Sequence, residues 1–357
     1  SSVRFSNTYK PNTFVNGYGN FETTSQKLLP PYVGGITKLE WTGDVILALC
    51  EIRAVSMYIG VTTLKDSSDT NLLSLTDNVL PNYNDLKQRE GRTSGCRHPL
   101  SVINTGGGQV YWYDALSGVY VQYSSNALFP ASDTGVATDF MQYKKLSKYS
   151  ILGAFDRRYS EVVVVVRQEG SKTYGYNVRE NVWVSLYPFH PEILASVSER
   201  LISFVDGQLW EHEKGDQLTF YGEVYPMKLH IIFNKGNSYQ KRFLAMDIEC
   251  KFEDDTLGTF SAPKIYSRQS DLQEQESELI ESDFEIRENA YKAPFWRDIN
   301  SGVDDPLTEG DELKGYYIEV QLEHSNIAPM EFYAATVYFT VANPTNRKCL
   351  PFILLII

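Results

Sequence analysis

Residues 159–187 read Tyr-Ser-Glu-Val-Val-Val-Val-Val-Arg-Gln-Glu-Gly-Ser-Lys-Thr-Tyr-Gly-Tyr-Asn-Val-Arg-Glu-Asn-Val-Trp-Val-Ser-Leu-Tyr. The β-branched run in Tyr159–Arg167 predicts a strand, because such side chains fit a pleated, buried surface. Gly170 predicts a turn and Thr173–Asn177 a second strand. Arg179-Glu180-Asn181 turns the chain into a third, Val182–Tyr187. Strand, polar turn and aromatic strand together make a hairpin signal.

The unit recurs on both sides. Arg200–Val205, the turn Asp206-Gly207 and Gln208–His212 form one copy. Asp-Gly between apolar runs predicts a two-residue type I′ turn with Gly207 at φ > 0 and Trp210 packed inward. Upstream, Gly106–Asp114, the turn Ala115–Gly118 and Val119–Tyr123 form another, preceded by strands over Asp44–Ile52 and Ala54–Val61. Residues 62–105 read mostly as loop. Aromatic hairpins repeated in this way are what β-propeller blades are built from, although Trp112, Trp183 and Trp210 keep no clean period. At about 40–50 residues per blade, residues 41–216 hold roughly four. A closed ring would take strands from elsewhere.

Beyond Asp216 the pattern becomes period 2. Lys228–Phe233, Lys241–Phe252, Tyr316–Leu322 and Phe332–Ala342 alternate apolar and polar residues, as half-buried antiparallel strands do. The acidic stretch 267–288 reads as a solvated loop or short helix between them. The expectation is an all-β chain with propeller-like hairpin repeats followed by a β-sandwich-like antiparallel domain. Residues 1–40 are read as an extended arm, 41–216 as the propeller-like part, 217–345 as the sandwich-like part and 346–357 as a C-terminal assembly strand.

Phe352-Ile353-Leu354-Leu355-Ile356-Ile357 closes the longest apolar run. It is too short for the ~20 residues of a membrane helix, and exposed it would invite aggregation. Two burials suit it: a core strand of its own sheet, or strand addition to a neighbour.

The net charge of −12 argues against general nucleic-acid binding, which needs clustered Lys and Arg. Cys50, Cys96, Cys250 and Cys349 are far apart and form no CxxC pair. Reduced thiols and no metal are therefore expected. Numbering opens on Ser1-Ser2-Val3 without the apolar core of a signal peptide, which reads as a piece of a longer polypeptide.

Catalytic constellations are weak. Gly106-Gly107-Gly108 leads into a strand without a following Lys-Ser/Thr, so it is no phosphate cradle. His98, His190, His212, His230 and His324 are scattered singly. Glycoside hydrolysis needs two facing carboxylates. Glu253-Asp254-Asp255 and Asp304-Asp305 are only sequence neighbours, and Ser132-Asp133-Thr134-Gly135 misses the Asp-box spacing. No catalytic residue, metal ligand or cofactor is assigned. Tyr111, Tyr113, Tyr120 and Tyr123 would serve a glycan-binding surface if exposed, or stack within a sheet if buried.

Three stretches, Gly95–Ser124, Tyr174–His212 and Phe284–Tyr317, together resemble segments of the muzzle proteins of crAss-like podoviruses. The Ser203–His212 hairpin and the Arg287–Tyr317 run carry the likeness, which covers most of residues 90–345. More broadly, the chain is similar to propeller-bearing packaged-DNA stabilisation proteins of short-tailed phages. The resemblance implies a non-enzymatic virion protein, assembled in the bacterial cytoplasm, that closes the distal tail and helps retain and gate its contents. The implied partners are further copies in a ring, other tail proteins and the remainder of a precursor. Neither specific nucleic-acid binding nor a membrane span is implied. A receptor-binding tail protein that binds or cleaves glycans is the alternative.

Overall fold

The computed structural model describes all residues except 8–11, 13, 15, 44, 66–70, 76–78, 89–90, 148–149, 169, 237, 253–260, 271–272, 289, 325–329, 342–348 and 356–357. Two compact units divide the chain, Ser1–Glu213 and Lys214–Ile357.

In the first unit, β1 (Ser2–Arg4) pairs with β2 (Gln26–Leu28). These residues, expected as an extended arm, tuck into a core. Val3, Leu29 and Val33 are buried with Ala48, Val55 and Met57, because apolar side chains in a polar stretch gain most by joining an existing core. The first sheet combines β3 (Ile36–Trp41), β4 (Val45–Cys50) and β5 (Ala54–Tyr58). A hairpin of β6 (Val61–Lys65) and β7 (Asn71–Leu75) then precedes β8 (Tyr83–Asp85), which returns to β5. The stretch expected as loop thus holds most of β6 and the whole of β7, β8 and β9 (Ile103–Asn104), four short strands that offer too few residues each for an alternation to show.

The second sheet is an antiparallel meander of β9 (Ile103–Asn104), β10 (Val110–Asp114), β11 (Val119–Ser124) and β12 (Ala127–Pro130). The helix α1 (Ala137–Gln142) follows. A third meander runs β13 (Ile151–Asp156), β14 (Glu161–Val166), β15 (Lys172–Asn177) and β16 (Val182–Tyr187). A fourth, three-stranded sheet is β17 (Ile193–Val197), β18 (Arg200–Val205) and β19 (Gln208–Glu211). Asp206 and Gly207 lie at φ 50° and 75°, the paired positive values of a type I′ turn. Trp210 is half-buried rather than deep in a core.

Successive sheets bury their faces on one another. On β10, Val110 and Trp112 join Val45, Leu47 and Leu49 of the first sheet. The alternate residues Tyr111 and Tyr113 turn to the other face. There they meet Phe140 of α1 and Val162, Val164, Tyr174 and Tyr176 of the third meander. This alternation is the period-2 geometry of a strand used on both faces. It explains why β14 is an uninterrupted Val run: both of its faces are covered.

The second unit opens with the short pair β20 (Thr219–Phe220) and β21 (Glu223–Val224). Two larger sheets follow, built from β22 (Met227–Phe233), β23 (Lys241–Phe252), β24 (Ser261–Ser270), β25 (Gln273–Glu278), β26 (Glu285–Arg287) and β27 (Ala290–Pro294). The helix α2 (Pro306–Glu309) comes next. The remaining strands are β28 (Lys314–Gly315), β29 (Tyr317–His324), β30 (Met330–Val341) and β31 (Cys349–Leu355). One sheet has the order β22-β29-β24-β25. The other has the order β26-β27-β23-β30-β31, with β28 also on β23. Both sheets contribute to one core: Ile231, Ile318 and Val320 from the first, Met246, Ile248, Val337 and Phe339 from the second.

The acidic stretch expected as loop or helix is mostly strand. In register, Lys264 faces Glu278 and Arg268 faces Glu274 across β24 and β25. The backbone pairing of β24 with β25 makes strand of a stretch whose glutamates have poor strand propensity. The chain is all-β in character, with two short α-helices among the described residues.

Candidate assembly site

β31 pairs antiparallel with β30 in a continuous register, from Ala334↔Leu355 through Thr336↔Ile353 and Val337↔Phe352 to Thr340↔Cys349. It stands last in its sheet, so β30 is its one strand partner among the described residues. The sequence-assigned interaction residues Phe352, Ile353, Leu354 and Leu355 all lie on this strand. Ile356 and Ile357 fall outside the described residues. Pro351 fits the edge position: a proline lacks the N–H that an interior strand would have to donate on both sides.

The neighbouring strands make β30 a rigid support. On β30, Ala334, Ala335, Val337 and Phe339 are buried. β23 runs along its other side from Lys241↔Val341 to Phe252↔Met330, with two register shifts. Lys241 begins β23 and is itself 1% exposed. Its ammonium donates to the Tyr316 and Tyr239 carbonyls and lies 5.1 Å from the Tyr239 ring centre. Burial holds its pKa below the ordinary lysine value. Hydrogen bonds and ring faces in place of a carboxylate make this a fastening for the strand rather than a reactive amine.

The other sequence candidates resolve into structural roles. Tyr111, Tyr113 and Tyr120 are 0% exposed and Tyr123 is 3% exposed, so none offers a stacking face to a glycan. Tyr113 donates to the Phe140 carbonyl at 2.8 Å, a bond internal to the core. The Ser132 hydroxyl accepts the Tyr120 N–H at 3.1 Å, and Asp133 pairs with Arg92 at 2.8 Å. Asp305 accepts from Thr308 at 2.6 Å at the start of α2. The Glu253–Asp255 cluster falls outside the described residues. Of the histidines, His212 meets the Ser203 hydroxyl at 2.8 Å and His230 meets Glu319 at 3.0 Å. Among the described residues no group of three or more His, Cys, Asp and Glu side chains is placed to hold a metal. No helix among them is long and apolar enough to cross a membrane.

One pair of acidic residues on the first unit shares a register position. Asp156 and Glu161 are register partners on β13 and β14. Glu161 is buried beneath Tyr187, and an added Cβ on Gly175 would stand 1.5 Å from its Oε1. That glycine is what lets the carboxylate lie across β15.

Compared with known families, residues 215–298 match the model of the Crassvirus muzzle protein C-terminal domain. That segment of the chain is similar to a crAss-like phage muzzle domain. The matched segment begins just before β20 and ends after β27. The resemblance read from residues 90–345 is therefore supported where it overlaps this domain. No curated protein matches the chain. The muzzle domain makes the chain akin to the structural proteins of the crAss-like virion. The tail is the part of the particle where that family acts.

Proposed function

We propose that the chain helps build and close the distal tail of a crAss-like phage, as a non-enzymatic subunit present in several copies, with β31 as an element of its assembly. The edge position of β31 carries this reading. An edge strand presents a row of backbone donors and acceptors that another chain can pair with. Its run Phe352–Leu355 supplies apolar side chains for a neighbour's surface, each worth about 1.5–3 kcal/mol if fully buried. The muzzle domain supports the tail location. The facing meanders of the first unit support a propeller-like arc that a ring of subunits or a precursor segment would complete. Retention and gating of the packaged contents follow from a plug at the tail end.

Removal of residues 350–357 tests the proposal, together with the milder Leu354→Lys. The expected result is a soluble chain with native circular dichroism that no longer enters tail particles. A folded Leu354→Lys chain that assembles like wild type would overturn the role of β31. Loss of folding in both variants would assign the strand to its own core and likewise overturn it.

A further inference from the structure

A cleft of about 430 Å³ opens on the first unit. Arg97, Lys144 and Lys145 line it, against one carboxylate, Glu51. Among the described residues none of the three cations takes part in an ion pair. All three are solvent-exposed, and their convergence gives this cleft a positive potential on an otherwise acidic chain, which favours an anion there.

Each cation rides on fixed backbone. Arg97 stands between the buried Cys96 and His98. The Cys96 N–H donates to the Cys50 carbonyl at 2.7 Å. Lys144 and Lys145 follow Tyr143, which is buried in the aromatic core. Lys144 lies across the β10–β11 turn. A Cβ on Gly118, at φ 71°, would meet its Cε at 2.4 Å, so this glycine makes room for the stem. On the opposite wall the Glu51 carboxylate accepts the Gly35 N–H at 3.4 Å, and its backbone passes within 2.4 Å of a Cβ built on Gly95. Thr37 also lines the cleft; its hydroxyl hydrogen is directed at the Leu49 and Cys96 carbonyls at 2.8 Å, which leaves its oxygen to accept.

The volume suits a small organic ligand rather than a bare oxyanion. The lining has no Phe, Tyr or Trp on which a base could stack, which disfavours a nucleic-acid strand. We infer that this cleft is a binding site for a phosphate monoester the size of a sugar phosphate. Arg97, Lys144 and Lys145 hold its phosphate, and Thr37 and Glu51 face its hydroxyl-bearing part. Charge-assisted bonds to the dianion supply affinity, and Glu51 accepts from sugar hydroxyls while repelling a second phosphate.

Calorimetric titration of the full chain at low salt tests this, with glucose 6-phosphate, inorganic phosphate, glucose and a short single-stranded oligonucleotide as probes. The expected result is one saturable site for glucose 6-phosphate, weaker binding of inorganic phosphate and none of glucose. Arg97→Gln and Lys144→Gln should each weaken binding by about tenfold, through loss of a charge-assisted bond. Lys228→Gln, on the second unit, should leave it unchanged. The tail role and this site fail separately, because the titration uses no particle. Absence of saturable binding, equal affinity for inorganic phosphate, tighter binding of the oligonucleotide, or variants that bind like wild type would each overturn the proposal.

Discussion

Tyr187 donates its phenolic hydrogen to the Glu161 carboxyl group, whose two oxygens lie 3.1 and 2.9 Å away. The pair joins the first residue of β14 to the last of β16 across the intervening Gly175. Burial pushes Glu161 up to about 7. The Tyr187 bond opposes that rise, while Asp156 and Glu213 add to it. Glu213 in turn accepts from Tyr159 at 3.0 Å.

The folded-state pKa of Glu161 is raised, so its contribution is fully present below the ordinary carboxylate pKa and is lost as pH rises through about 7. Glu161→Gln keeps an acceptor for Tyr187 without the charge. The variant should match wild type near pH 4 and exceed it by roughly 3 kcal/mol near pH 8. Denaturant unfolding at the two pH values checks this, and an unchanged difference between them would refute it. His212 acts on the acid side: burial lowers it to about 4, so its contribution is lost as pH falls toward that value.

Gly207 sits at φ 75° with nothing within 4 Å of a built Cβ, so any cost of substitution there comes from the backbone alone. Gly207→Val should destabilise the first unit by about 1 kcal/mol or more, because a β-branched residue resists that conformation. Gly207→Asn should cost less, since asparagine visits the left-handed region more readily. Equal melting temperatures for wild type and Gly207→Val would show that the hairpin adopts another turn.

The legibility of the fold followed the strength of local signals. The β16 and β18 boundaries were readable to the residue because an aromatic or β-branched run met a polar turn at each end. β13 was not, because Gly153 interrupts Ile-Leu-Gly-Ala-Phe-Asp and reads as a breaker. In the structure a Cβ there would stand 2.5 Å from Ile103 Cδ1 and 2.8 Å from the Val163 carbonyl oxygen, so the glycine serves a close approach between sheets. β25 was hidden for the opposite reason, since its charges advertise solvent while its backbone pairs with β24. The C-terminal strand was legible as an apolar run, but its place at the sheet edge depends on pairing with a strand from elsewhere in the chain. The cationic cleft left no sequence signal. Arg97 and the Lys144–Lys145 pair are distant in sequence, and only the packing of α1 and its 3₁₀ extension against the second sheet joins them.

Phe140 is the centre of the aromatic core in the first unit. Its ring lies 5.2 to 5.8 Å from those of Tyr113, Tyr120, Tyr143, Tyr174 and Trp183. It is fully buried although its helix is only six residues long. Phe140→Ala should cost about 3–5 kcal/mol, as large cavities in close-packed cores do. Phe140→Leu should recover most of that. Thermal unfolding followed by near-ultraviolet circular dichroism reports the loss directly, because the tyrosine and tryptophan signals arise around this ring. A cost below about 1 kcal/mol would mean that the site collapses freely and that the cluster is not tightly packed.

Cys50 and Cys96 are the thiols whose backbones meet: the Cys96 N–H donates to the Cys50 carbonyl at 2.7 Å. Their side chains nevertheless enter different cores. Cys96 packs with Leu47, Trp112 and Val121, whereas Cys50 packs with Val3, Val55 and Met57. A disulfide needs side chains that point toward each other, and these diverge. Burial also raises the thiols, Cys50 to about 11 and Cys96 to about 12, so little thiolate is present near neutral pH. Cys250 is likewise pushed to about 12 by burial. With Cys349→Ser as background, the three remaining thiols should react slowly with a disulfide reagent in the native chain and rapidly once it is unfolded. Mass analysis without reductant should show no bridge. Fast labelling of native Cys96, or a recovered Cys50–Cys96 bridge, would show that the two cores are not separated as described.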